Sequence, residues 1–400
     1  MGTFKTISSN DIKTTVSTLN QLVDFVQEDI SGSGQSSRKK YQIFVTSSAT
    51  NAITSSLFHT VYDQNYGLQT ANELFDLTVG LYDSSITVVS SSTGTDSQNG
   101  NKRLFPSQSL MMREKVNVYR QYAQLLLGDA DEKFTAPFSN PASDGSDVID
   151  EALFINFKRL FVRDGIKRET FALQLLQSSS LMTTSPANTT NVNVSAASPG
   201  LGSAIFIDLG SANSAERSAT GGDVGNLVDS VNTAASTGIL FYQQGIAILD
   251  MKKVFDGNQV ITGSIDSVGS VSSTPVSGSF IPDFVTSASI DQIIDHIATT
   301  RFGSGSITTV TFQNNTKINS TLIFCRATAD EFNFSSNPTY KDTDGKIRVI
   351  DTVGTDKSFA FVTTIGLYDA NEELLGVSKL SRPVEKNAEK DITFRTRFDF

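Results

Sequence analysis

Ile392-Thr393-Phe394-Arg395-Thr396-Arg397-Phe398-Asp399-Phe400 closes the chain, and its strict alternation is that of a half-buried strand. Ile392, Phe394, Phe398 and Phe400 fall on one face, and Thr393, Arg395, Arg397 and Asp399 on the other. Such a strand completes a sheet, either within its own domain or in a neighbouring chain. In a neighbour, ladder hydrogen bonds supply affinity and the Phe side chains set register. Arg395 and Arg397 can pair with local carboxylates or with a partner. Further strands read at 307–312, 320–326, 347–350, 359–368 and 374–379. Asp344-Gly345 and Asp369-Ala370-Asn371 stand at turn positions between them. This spacing predicts an antiparallel, sandwich-like β domain over residues 304–400.

The rest of the chain is less regular. From Asn10 to Ile30, Ile12, Val16, Leu19, Val23, Val26 and Ile30 recur at alternating spacings of four and three, which predicts an N-terminal amphipathic helix. Ser8 and Asp11 offer an acidic variant of a capping pattern. Residues 1–37 are thus expected to form a helical arm and linker, which either docks on a partner chain or covers its own domain. Residues 38–106 read as β-rich. Helical intervals at 110–127, 148–163 and 169–177 predict a helical subdomain over 107–178. Residues 179–303 mix short strands with polar loops, and Ser289 with Gln292 forms a capping box that opens a helix through Ile290, Ile293, Ile294 and Ile297. The expected class is therefore α+β, multi-domain and β-rich. Thr78-Val79-Gly80-Leu81-Tyr82-Asp83 is echoed by Thr364-Ile365-Gly366-Leu367-Tyr368-Asp369. Either two related strands enter one sheet from both ends of the chain, or the match is chance.

Composition narrows the function classes. Hydrophobic residues make up 38% of the 400 and charged residues 18%, both low for a globular chain, with Ser, Thr, Asn and Gly in their place. The 27 Phe still demand burial, so the chain is expected to fold. Lys and Arg number 32 against 42 Asp and Glu, a formal net charge of −10 that opposes general affinity for nucleic acid. Cys325 stands alone and forms no internal disulfide. No secretory leader and no bilayer-spanning apolar run are evident.

Groups suited to catalysis or metal binding are few. The two histidines, His59 and His296, have no second His or Cys at ligand spacing, which argues against a zinc site. Both are expected at the surface or half-buried. Members of a Ser–His–Asp triad converge only in the fold, but no Gly-x-Ser-x-Gly elbow presents a serine. Gly-x-Gly pairs lack the third glycine of a dinucleotide loop. Asp342-Thr343-Asp344-Gly345 looks like part of a calcium loop without its closing acid and reads better as a hairpin turn. The expectation is a non-enzyme with no cofactor, no metal and no small-molecule substrate.

Several blocks resemble virion structural proteins of T4-like contractile-tailed phages, in particular marine and cyanobacterial ones. They are Ser56-Leu57-Phe58-His59-Thr60-Val61-Tyr62-Asp63-Gln64, Leu68-Gln69-Thr70-Ala71-Asn72, Phe241-Tyr242-Gln243-Gln244-Gly245-Ile246-Ala247, Glu331-Phe332-Asn333-Phe334-Ser335-Ser336-Asn337-Pro338, and the closing stretches 370–375 and 379–387. The resemblance implies a structural subunit of the virion, in the baseplate or tail, assembled in the host cytoplasm. Its partners would be other virion proteins and copies of itself. A neck or capsid-associated protein, a tail-borne adhesin and a glycan hydrolase are the alternatives. The residues expected at partner contacts are Ile12, Val16, Leu19, Val23, Val26, Arg395, Arg397 and Phe400.

Overall fold

Seven of the fifteen residues between Ile12 and Val26 are Thr, Val or Ile, side chains whose branching at Cβ favours a pleated strand over a helix. In the computed structural model these residues form one strand, β1 (Ile12–Val26), and no helix. The structure describes residues 4–26, 38–45, 53–82, 95–96, 102–103, 110–136, 148–158, 164–176, 179–181, 194–196, 203–209, 217–234, 236–255, 258–260, 277–279, 289–302, 308–335, 337–346, 348 and 358–399. The expected N-terminal helix is therefore corrected, and its seam with it. In a strand of period two, Ile12 and Val16 share one face while Leu19 and Val23 point to the other. The capping signal is real on a smaller scale. The Ser8 hydroxyl accepts from Asn10 N–H, but the turn it caps is a single 3-10 turn, Ser9–Asp11.

The chain divides into two compact units. The larger comprises residues 19–316; the smaller joins residues 1–18 to 317–400. Strands and antiparallel pairs dominate both, with few helices.

In the large unit, β2 (Arg38–Val45), β3 (Ile53–Tyr62) and β4 (Glu73–Leu81) pair as an antiparallel meander. β5 (Glu151–Phe157) joins β4, with Phe75 opposite Phe157 and Thr78 opposite Phe154. The sheet continues away from β5 through β12 (Ile246–Asp250), β11 (Ser236–Phe241), β10 (Gly222–Asp229), β8 (Ser203–Asp208) and β7 (Ala172–Leu176). The two short strands β6 (Asp164–Ile166) and β9 (Arg217–Ala219) pair at its margin, β6 with residues 314–316 of β13 (Thr308–Ala327). Two helices pack on this sheet, α1 (Leu110–Leu126) against β4 and α2 (Ile290–Thr300) against β3 and β4.

The expected helical subdomain is corrected at the same time. Only α1 among the described residues of 107–178 is a long helix; 151–157 and 172–176 are strands. The reason lies in burial. Phe154 and Phe157 point to opposite faces of β5 by the two-residue repeat. Tyr119, Tyr122 and Phe134 gather on Phe154, at centroid distances of 6.2, 4.1 and 5.8 Å. Phe25, Phe75, Phe171 and Phe312 gather on Phe157, at 6.0, 5.8, 5.7 and 5.1 Å. A strand covered on both faces is a near-continuous apolar run, whose periodicity does not distinguish it from a buried helix.

In the small unit, residues 320–327 of β13 pair antiparallel with β16 (Ile392–Asp399), so the closing strand completes a sheet within its own chain. A separate two-stranded ribbon is formed by β14 (Phe359–Tyr368) and β15 (Leu374–Asn387). The turn between them is built by Asp369, whose Oδ1 accepts from Asn371 N–H at 2.9 Å and Glu373 N–H at 2.7 Å. Gly376 of the ribbon lies against the Phe398 ring of β16; a Cβ there would come within 2.7 Å of it. The two echoed hexapeptides thus enter different sheets, 78–81 the centre of the large one and 364–368 the ribbon.

Candidate functional site

His59 is fully buried, where a surface or half-buried position was expected, and its Nε2 lies 2.6 Å from Asp291 Oδ1 of α2. In a Ser–His–Asp triad the carboxylate holds Nδ1 and leaves Nε2 to the nucleophile. Here Nε2 faces the acid, and the pair joins α2 to β3. His296 lies on α2 as well. Lys115 of α1 is fully buried, and burial pulls its ammonium group down to about 7, but the same burial keeps substrates away. Among the described residues no three His, Cys, Asp or Glu side chains gather as a metal site. No described helix is long and apolar enough to cross a membrane.

One cleft, of about 360 Å³, opens beside Glu169–Ala172 and Ile207–Leu209. Tyr242 Oη donates to Asp208 Oδ1 of its lining at 2.7 Å, and Glu169 N–H donates to Oδ2 at 2.8 Å. Glu169 holds a left-handed backbone, φ 62°, to do so. Arg168 lies 5.6 Å from the Tyr242 ring and pairs with Asp223 at 2.7 Å. Burial, then Asp208 itself, pushes the Tyr242 phenol well above its ordinary value, so it stays a donor. Gly225 is required beneath it, because a Cβ there would sit 1.9 Å from Tyr242 Oη. Both carboxylate oxygens of Asp208 are engaged in holding the loop, so the network is a brace. Tyr242→Phe is expected to cost about 1–3 kcal/mol in chemical denaturation, the penalty of a buried carboxylate oxygen that loses its donor.

The small unit is different in kind. Among its described residues only three apolar side chains are buried: Ile323, Ala327 and Ala360. Ten large apolar side chains are exposed: Phe4, Ile12, Val16, Phe332, Phe334, Phe361, Tyr368, Leu374, Leu375 and Val377. The main apolar core cluster lies wholly within 19–316. A unit of about a hundred residues with so few buried apolar groups gains little from burial to set against its chain entropy. An isolated two-stranded ribbon is also marginal in water. Scattered exposed apolar residues are ordinary, but ten among the described residues of a unit that buries three are a marked concentration.

Two parts of this surface are held firmly. Residues 328–335 form a loop pinned by Lys386, whose fully buried ammonium donates to Ala329 O, Asn333 Oδ1 and Asn387 O at 3.3, 2.8 and 2.7 Å. Asp391 accepts from Ala329 N–H and pairs with Arg326, both at 2.7 Å. Glu331 is fixed by Lys5 and by Thr328 N–H, which hold its carboxyl down to about 2. The loop raises Phe332, at φ 53°, and Phe334, which Lys341 covers at 4.3 Å. Such a backbone is rare for a bulky side chain and persists only when its surroundings over-determine it.

The second part is the outer face of the ribbon. Tyr368 stands opposite Leu374 and Gly366 opposite Val377, while Leu375 is the extra residue of a bulge. Leu375 is 71% exposed. Phe4 packs edge-on to Tyr368, with centroids 5.0 Å apart.

The residues expected at partner contacts are spread over both units. Ile12 and Val16 are exposed in the first half of β1, and Leu19 in the second. Val23 is half-buried against the large core. Val26 ends the strand. Arg395 and Arg397 are exposed on the outer face of β16, and Arg397 Nε donates to Asp399 Oδ1 at 2.6 Å. Phe400 and the linker at 31–37 lie outside the described residues. Sequence reading missed the ribbon's outer face and the Phe332/Phe334 loop. A signal for the first exists in the Leu374-Leu375 pair beside an acidic turn, too apolar for a solvated hairpin end.

No protein-family model, no curated protein and no solved structure matches this chain.

Proposed function

We propose that this chain is a non-enzymatic structural subunit of a contractile-tailed phage virion, placed in the tail or baseplate and working through protein–protein contacts. The observation that carries the assembly reading is the imbalance within the small unit, which exposes far more large apolar side chains than it buries. Charge supports it. The small unit holds 14 basic and 14 acidic residues and is neutral, while the large unit holds 18 and 28 and so carries the whole formal charge of −10. A neutral, apolar surface associates without the repulsion that keeps charged proteins apart. The phage address rests on the sequence blocks quoted above, two of which, 331–338 and 370–375, fall on or beside the exposed loop and the ribbon turn. Mass spectrometry of purified particles of a phage encoding this chain is expected to find it at a fixed copy number relative to the other tail proteins. Particles lacking the protein would end this reading.

A further inference from the structure

The ribbon's outer face carries more than apolar groups. Its turn end is acidic, with Glu372 and Glu373 exposed beside Asp369, and partway along β15 it turns basic, with Lys379 and Arg382 exposed. Lys379 stands opposite Thr364, on the same face as the Gly366–Val377 pair. Among the described residues none of these four side chains makes a hydrogen bond or ion pair within the chain. Between Glu373 and Lys379 run six residues of strand, about 20 Å, with Tyr368, Leu374, Leu375 and Val377 between them.

An apolar strip with opposite charges at its two ends is self-complementary under a two-fold rotation. The midpoint of the strip falls near the Gly366–Val377 pair, where the Tyr368 ring lies over Gly366 and takes the place of a side chain there. A second copy laid antiparallel across it sets its Lys379 and Arg382 against Glu372 and Glu373 of the first, and the reverse pair forms by symmetry. An isologous contact of this kind uses one patch twice.

We propose that the outer face of the β14–β15 ribbon is a homodimer contact, with a second copy of this chain as its occupant. The inference rests on the assembly reading but not on the phage address. Two-fold charge matching separates it from a contact with a different protein, which has no reason to mirror the ribbon's own charges.

The test is sedimentation equilibrium of the full chain across a range of concentrations, with circular dichroism to confirm folding of each variant. The wild type is expected to show a reversible dimer. Lys379→Glu, and separately the pair Glu372→Lys and Glu373→Lys, are expected to weaken it about tenfold or more, each by placing like charges together. A chain carrying all three changes together with Arg382→Glu inverts both ends and is expected to recover the dimer. Val377→Asp, at the centre of the strip, is expected to abolish it. A wild type that is monomeric throughout, a dimer indifferent to these variants, or a combined variant that stays as weak as the single swaps overturns the proposal. Presence or absence of the chain in purified particles is a separate result and bears on the phage reading alone.

Discussion

Phe154→Ala is expected to lower the stability of the large unit by about 3–5 kcal/mol, the usual cost of removing a buried Phe that its neighbours cannot collapse to fill. Phe154 is fully buried in β5 and lies in the middle of an aromatic group that fastens α1 to the sheet. Its ring stacks on Tyr122 with an interplanar angle of 12°. Edge-on contacts to Tyr119 and Phe134 add to this, each such pair being worth about 0.5–1.5 kcal/mol beyond area burial. The site cannot relax easily. Tyr119 Oη donates to Ile149 O at 2.7 Å and accepts from Phe134 N–H at 3.0 Å, so two neighbours are tied to backbone. Below lies Gly80, where a Cβ would come 2.9 Å from both the Phe154 ring and Tyr119 N, so α1 already sits as near to β4 as a bare backbone permits. Urea unfolding followed by near-ultraviolet circular dichroism should show the aromatic transition of the large unit moving to lower denaturant. An unchanged midpoint would mean that α1 is held by something other than this cluster.

The second large effect is a pH dependence set by Asp250. Its carboxyl is almost fully buried at the end of β12, and burial pushes it up to about 6. Lys252 N–H, which Asp250 caps at 3.0 Å, and Lys253 oppose the rise, while Glu151 adds to it. The folded state therefore holds this proton more tightly than the unfolded chain, whose Asp titrates near 3.9. The contribution of Asp250 to stability is fully present below about pH 4 and is lost as pH rises through 6. The size is on the order of 3 kcal/mol, from the displacement of the carboxyl and the free energy of one pH unit. Asp250→Asn keeps an acceptor for Lys252 N–H and removes the charge. It is expected to stabilise the protein by about 1–3 kcal/mol at pH 7.5 and to flatten the slope between pH 4 and 6. Stability curves of the two proteins that stay parallel over that interval would show that Asp250 is ionised in the fold at little cost.

Both effects belong to the large unit, where burial is ample, and they contrast with the small unit, where it is scarce. Substitutions on the ribbon's outer face should leave the stability of a single chain nearly unchanged and alter what the chain binds.

Much of the local structure was legible. Strand β14 falls at 359–368 as the alternation indicated, and β16 at 392–399. The Asp369–Asn371 turn and the Gly345 turn with φ 76° both fall where short polar residues or glycine announced them. Helix α2 starts at Ile290 behind Ser289, and Ile290, Ile293, Ile294 and Ile297 are all fully buried. In each case the decisive forces act within a few residues: a side chain bonding to a nearby backbone group, or a backbone conformation that only some residues accept.

The tertiary structure decided the rest. The seam from Ile12 to Val26 satisfies a helical period, yet this stretch is a strand hydrogen-bonded to β13, about three hundred residues away in the chain. The run from Glu151 to Phe157 satisfies either period, and becomes a strand because neighbours cover both of its faces. The hexapeptides at 78 and 364 make the point most directly. Val79 and Leu81 are buried in the middle of a sheet, whereas Leu367 is half-buried and Tyr368 lies open on a two-stranded ribbon. By itself, then, the amino-acid sequence determined the turns, the caps and the strands whose pattern is written in neighbouring residues. Which long strands pair, which faces they cover and which apolar side chains remain on the surface were decided by the folded chain, because strand pairing and burial are contacts between segments whose partners no local pattern specifies.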